Sequence, residues 1–215
     1  MKLALVLYEG FTALDIIGPF QVLADVPGIE PVFVADRAGP VTDHTGAIVL
    51  QAKQSFDDLP NPDIIVVPGG MTTGNVLSGH PIVPWVKRVH ETTTWTTSVC
   101  TGSLVLAAAG LLNGLDATTH WLFMDVLASL GAKPTAKRVV FQGKIVTAAG
   151  VSSGIDMGLA LLEKMFGRQT AEAIQLAIEY DPQPPCDSGS PAKASPEIVA
   201  MVRTMMASGS GRASA

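Results

Sequence analysis

Residues 95–112 read WTTSVCTGSLVLAAAGLL. A β-rich run from Trp95 reaches a lone cysteine at position 100, and an almost wholly apolar helical segment, Leu104 to Leu112, follows at once. Gly102 and Ser103 are small enough for the tight turn that must join the two. A strand that delivers a nucleophilic residue onto such a turn is a nucleophile elbow, here with cysteine in the nucleophile's place. A helix with no polar face belongs at the centre of a layered structure, so the rest of the chain should supply the layers.

Outward from this segment the same alternation recurs. Lys2 to Tyr8, Pro31 to Ala35 and Asp63 to Val67 are short apolar runs of strand character. Arg138 to Phe141 and Lys144 to Ala148 flank Gln142-Gly143, where glycine can supply the positive φ of a hairpin turn. Helical periodicity fills the gaps. Thr12 opens a helix that Pro19 should interrupt or restart. Pro81 starts one on which Ile82, Trp85, Val86 and Val89 share a face. Ile155, Leu159, Leu162 and Phe166 mark another, ended by Gly167, and Thr170 to Glu179 makes the next. Asp181 to Ala194 reads as loop, and Ser195 with Pro196 begins a last helix carrying Ile198, Met201, Val202 and Met205 on one face. The expected fold is α/β, a flavodoxin-like three-layer sandwich with a mostly parallel central sheet. A single domain is expected over residues 1–207, with a disordered tail at 208–215.

Composition limits the function. Lys plus Arg is 14 against 19 for Asp plus Glu, a net charge of −5, and the pI near 5.3 lacks the footprint of a nucleic-acid binder. Only 15% of the 215 residues are charged and mean hydropathy is +0.36, which suits a sheet covered on both faces with apolar surface left over for a homodimer. The initial apolar run is stopped by Glu9-Gly10 without a small-x-small cleavage site, so it reads as a strand rather than a signal peptide. No stretch approaches the ~18 to 20 apolar residues of a membrane span. Cys100 and Cys186 are too few for a disulfide scaffold, and a cytoplasmic location is expected. No cofactor is expected either, since no GxGxxG or GxxxxGK loop occurs. His44, His80 and His90 lack the spacing of metal ligands.

In an open parallel sheet ligands bind beyond the carboxyl ends of the strands, and three segments fall there. At the elbow, the helix N-terminus should favour thiolate and lower the pKa of Cys100, the alternative being an inert buried cysteine. Pro68-Gly69-Gly70 ends another strand, either as a plain tight turn or as a loop whose N–H groups, with that of Thr101, form an oxyanion-type hole. Asp15 follows the first strand. It is either the acid/base partner of Cys100 or the carboxylate of a capping box opened by Thr12. The histidines leave the imidazole position of a Cys-His pair empty, since Thr101 follows Cys100 and only His120 comes later, flanked by Thr119 and Trp121. His120 reads as structural, Cys186 as incidental, and the Met201, Met205 and Met206 cluster as helix packing.

Taken together, VPGG at 67–70, SVCTGSLVLAAAGLL at 98–112, ATTHW at 117–121 and AGVSSGIDMGLALLEKMFG at 149–167 resemble the ThiJ/PfpI superfamily, with its class I glutamine amidotransferase-like fold. The resemblance spans nearly the whole chain. ALDIIGPFQVL at 13–23, the Cys-Thr pair at 100–101 and AIQLAIEYDPQPPCDSGSPAKA at 173–194 are most similar to its isonitrile hydratase branch. That branch comprises cofactor-free homodimeric enzymes that hydrate isonitriles to N-substituted formamides. The resemblance implies Cys100 as nucleophile, Asp15 as acid/base, Thr101 contributing hydroxyl and N–H, Gly69 and Gly70 as polar supports, and Gly150 and Val151 lining the site. It implies a thioimidate intermediate, with Asp15 protonating the isonitrile carbon and then activating water.

Three other readings stay open. The ATTHW and YDPQPP segments are similar to the ligand-binding half of AraC-type regulators, although such a chain would be expected to continue into a basic helix-turn-helix region rather than end in SGSGRASA. Cys100 could serve as a redox sensor. Within enzymes, cofactor-free glyoxalase or protease activity is the rival.

Overall fold

The computed structural model describes residues 1–209. Its strands are β1 (Lys2–Val6), β2 (Glu30–Ala35), β3 (Gly39–Thr42), β4 (Val49–Ala52), β5 (Gln54–Ser55), β6 (Ile64–Val67), β7 (Trp95–Val99), β8 (Asp116–Ala117), β9 (Lys133–Pro134), β10 (Val139–Gln142) and β11 (Ile145–Ala148). Its α-helices are α1 (Ala13–Leu23), α2 (Thr73–Leu77), α3 (Ile82–His90), α4 (Gly102–Ala108), α5 (Met124–Ser129), α6 (Ser153–Phe166), α7 (Arg168–Ala177) and α8 (Pro196–Gly209). Seven strands form the central sheet in the order β10-β11-β7-β6-β1-β2-β5. Every pairing in it is parallel except the hairpin of β10 and β11, whose turn contains Gly143 at φ 58°.

Burial explains which segments became central. Leu3 to Val6 and Ile64 to Val67 are wholly inaccessible, as expected of strands covered on both faces. From β1 the chain builds outward through β2 in one direction, then returns to the far side of β1 as β6 and continues through β7 to β11. The progression reverses between β1 and β6. Right-handed crossovers therefore place α1 on one face of the sheet and α3 and α4 on the other. The packing agrees, with α6 lying on α1 and α7, and α4 contacting α2, α3 and α5.

Local details depart from expectation where tertiary contacts override local preference. Pro19 does not break α1; its ring packs on α6, where a Cβ at Gly154 would sit 3.0 Å from Pro19 Cδ. Gly158 is likewise close, its would-be Cβ 2.9 Å from Val22 Cβ. The hairpin of β3 and β4 and the short strands β5, β8 and β9 gave no clear signal in sequence. The final helix includes Ser208 and Gly209, and the rest of the expected tail lies outside the described residues. Among the described residues no helix is long and apolar enough to cross a membrane.

Candidate active site

Three strand ends meet where the sheet order reverses. Directly after β7, Cys100 adopts φ 57°, a left-handed conformation that costs a non-glycine residue about 1 to 3 kcal/mol. Its backbone is anchored at both ends. The Cys100 N–H donates to the carbonyls of Ala148 (3.1 Å) and Ala149 (2.8 Å), and its carbonyl accepts from Thr119 Oγ1 at 2.9 Å and Ser103 Oγ at 3.2 Å. Gly102 is required by close approach, since a Cβ there would run into the carbonyl oxygens of Val67 and Pro68. The elbow read from the sequence is therefore present, with Cys100 only 6% exposed.

Asp15, in the first turn of α1, is wholly buried. The capping-box alternative does not describe it. The Thr12 side chain makes no capping bond, and the Thr12 N–H donates instead to the Gly69 carbonyl at 2.9 Å. Asp15 Oδ2 accepts the Gly69 N–H at 2.9 Å, Oδ1 has no hydrogen-bond partner among the described residues, and the carboxyl lies close enough to the Cys100 thiol for each to shift the other.

Burial dominates the electrostatics of this pair. It lifts Asp15 from the ordinary 3.8 to about 7, although the Gly69 N–H and the Cys100 side chain both favour the carboxylate. Burial also pushes Cys100 up to about 12, and the Asp15 charge adds to this, against the Val151 and Thr101 backbone amides that pull the other way. The expected lowering of the Cys100 pKa is thus reversed: loss of water and a negative neighbour outweigh the helix end and two amides. Near neutral pH Cys100 keeps its proton while Asp15 titrates.

The glycine loop is placed differently from the expectation of an oxyanion-type hole. The Gly69 N–H is engaged by Asp15, and the Gly70 N–H donates to Thr101 Oγ1 at 3.1 Å. A Cβ on Gly69 would lie 2.5 Å from both the N and the Oγ1 of Thr101, so glycine lets the loop press on the elbow. The Thr101 hydroxyl in turn meets Thr73 Oγ1 at 2.8 Å, and Thr73 Oγ1 meets the buried Tyr8 hydroxyl at 3.1 Å. The loop's two amides hold the acid and the elbow.

Val151, at φ 22°, brings its amide to the sulfur. Gly150 packs on His120, where a Cβ would sit 2.8 Å from His120 Cδ2. His120 itself caps the short 3₁₀ turn at Trp121–Phe123, its Nδ1 accepting from Leu122 N at 3.4 Å, and burial lowers its pKa, in keeping with the structural reading. Cys186 is exposed in the loop before α8. A cleft of about 480 Å³ opens beside the Tyr8 ring, between Glu9, Arg37 and His80, without Cys100 on its wall. Sequence reasoning missed Tyr8, Thr73 and the anchoring role of Thr119. Only Thr119 carried a signal, within ATTHW.

The chain is 41% identical to isonitrile hydratase of Pseudomonas putida over 199 residues, 93% of this chain and 87% of the relative. It is 28% identical to the HTH-type transcriptional regulator CdhR of Pseudomonas aeruginosa, covering 75% of this chain and about half (52%) of that protein. The crystal structure of a ThiJ/PfpI family protein from Pseudomonas syringae superposes with a TM-score of 0.92 at 33% identity, covering 99% of this chain and 88% of the other. The model of the DJ-1/PfpI family matches residues 1–164, a span that holds Asp15, the Gly69-Gly70 loop, the Cys100 elbow and Val151, and the chain belongs to that family.

Proposed function

We propose that this protein hydrates isonitriles to N-substituted formamides, with Cys100 as nucleophile and Asp15 as the group that moves the protons. The observation that carries the reading is the buried Asp15 carboxyl beside a thiol on a strained elbow, in a chain 41% identical to a protein named isonitrile hydratase. The thiol keeps its proton while Asp15 titrates near neutrality, so a carboxylate is on hand to take the thiol proton and pass it to an uncharged electrophile. A cysteine only 6% exposed also suits the narrow linear head of an isonitrile better than a bulky carbonyl substrate.

The chemistry then closes on this chain's own groups. Sγ bonds to the terminal isonitrile carbon while its proton passes to the Asp15 carboxylate. The carbon, left with an electron pair, takes that proton and becomes a thioimidate. Water adds to the same carbon as Asp15 takes one of its protons and the nitrogen gains one. Cleavage of the C–S bond returns the electron pair to sulfur, a proton returns through Asp15, and the formamide leaves. One isonitrile and one water give one formamide. An Asp15 value near 7 matches a group that must both accept and give protons at neutral pH.

The test is purified protein assayed in parallel against an aliphatic isonitrile, methylglyoxal and a peptide. Formamide production from the isonitrile alone is expected. Turnover of methylglyoxal or peptide with the isonitrile untouched overturns the reading.

A further inference from the structure

The Gly69 N–H that reaches Asp15 belongs to the same rigid peptide group as the Pro68 carbonyl. In that trans unit the two point in opposite directions, so whatever holds the carbonyl aims the N–H. What holds it is the Tyr8 hydroxyl, buried two residues past the end of β1 and 3.0 Å from Pro68 O. We propose that Tyr8 is a positioning residue for the proton transfers: its hydroxyl grips the Pro68 carbonyl and thereby orients and polarises the Gly69 N–H against Asp15.

Three observations support this. The Tyr8 phenol stays protonated because burial, Asp15 and Cys100 all disfavour its charge, so it is a donor to the carbonyl. The neighbouring Gly69–Gly70 peptide is clamped at both ends as well, by the Thr12 N–H on the Gly69 carbonyl and by Thr101 Oγ1 on the Gly70 N–H. Without Tyr8 the Pro68–Gly69 unit would be held at one end only. Finally, beside the Cys100 thiol, the Gly69 N–H is the backbone donor to the Asp15 carboxyl, and among the described residues Oδ1 has no hydrogen-bond partner. The titratable groups acting on Asp15 are Cys100, from the end of β7, and Tyr8 itself. The loop after β6 acts on Asp15 through the Gly69 backbone, and α6 meets α1 through Gly154, Ile155 and Gly158.

The consequence for catalysis rests on the function proposed above, but the first test does not. Aspartate labelled with ¹³C at Cγ, with the Asp15 signal assigned by its loss in Asp15→Asn, reports this titration directly. Tyr8→Phe keeps the ring and removes one oxygen. A less well aimed N–H stabilises the carboxylate less, so the Asp15 midpoint should rise by about half a unit or more. The limb of the kcat/KM profile that rises with pH should move the same way. An unmoved midpoint overturns the proposal even if stability or activity falls. Should Tyr8→Phe not fold, 3-fluorotyrosine incorporation in a Tyr180→Phe background makes Tyr8 a stronger donor, with a downward shift expected and no shift overturning the proposal. If the wild type leaves isonitriles untouched, the functional reading fails while the NMR titration still decides the role of Tyr8.

Discussion

At the scale of single residues, Cys100 and Asp15 separate chemistry from stability. Cys100→Ala and Cys100→Ser should abolish isonitrile turnover with the fold intact by circular dichroism, because one atom carries the covalent step. Cys186→Ala, at an exposed loop position, should be silent. Retained hydration in Cys100→Ala would sink the mechanism. Asp15→Asn should lower turnover by roughly 10²-fold or more. Its effect on stability has a definite sign. Burial raises Asp15 from 3.8 to about 7, so the folded state binds this proton more tightly than the unfolded chain does. That contribution is complete below 3.8 and is lost as the pH climbs to about 7. Asparagine does not titrate, so the melting temperature of Asp15→Asn relative to wild type should become more favourable between about pH 4 and about pH 8. A relative melting temperature that is flat or falls across this interval would show that Asp15 is not a buried acid with a raised pKa.

At the scale of elements, the site depends on α6 lying tightly on α1, because α1 carries Asp15 and α6 follows the Val151 turn. The contact is made by glycines. The Cβ that Gly158→Ala would add meets Val22 Cβ at 2.9 Å, an atom that no side-chain rotation can move. Overpacking of this kind costs about 1 to 3 kcal/mol, against up to about 1 kcal/mol gained from alanine's helix propensity. Gly158→Ala should therefore unfold at lower urea concentration. Gly74→Ala, in α2 with open space around the new Cβ, should be neutral or stabilising. Equal effects from the two would mean that the α1–α6 distance is not set by these glycines.

At the scale of the whole molecule we propose a homodimer, on the grounds of the low charge content and the exposed apolar helix residues. Leu176 is 79% exposed, Met205 64% and Met201 57%, apolar surface that a second copy could bury. Light scattering should give twice the 22.4 kDa chain mass, and activity should survive EDTA and desalting. Loss of activity to a chelator, restored by a metal, would overturn the Cys100 mechanism, whereas a monodisperse monomer would remove only the dimer. The elbow, the parallel sheet and the placing of Cys100 and Asp15 at one sheet edge were legible in the linear chain, though not their contact, because a strand, a tight turn and an apolar helix are encoded by near neighbours, and parallel strands put their carboxyl ends on one edge. Local patterns also suggested a lowered thiol pKa, a capping role for Asp15 and a hole made by Gly69 and Gly70. Tertiary structure alone settled these points otherwise, since burial is a property of the layers packed around a group and not of its sequence neighbours. Tyr8 lies 60 residues from Pro68 and 65 from Thr73 along the chain, and the direction of a peptide N–H depends on what grips its other end. No spacing in the sequence encodes that grip; it exists only once β1, the loop after β6 and α2 are packed together.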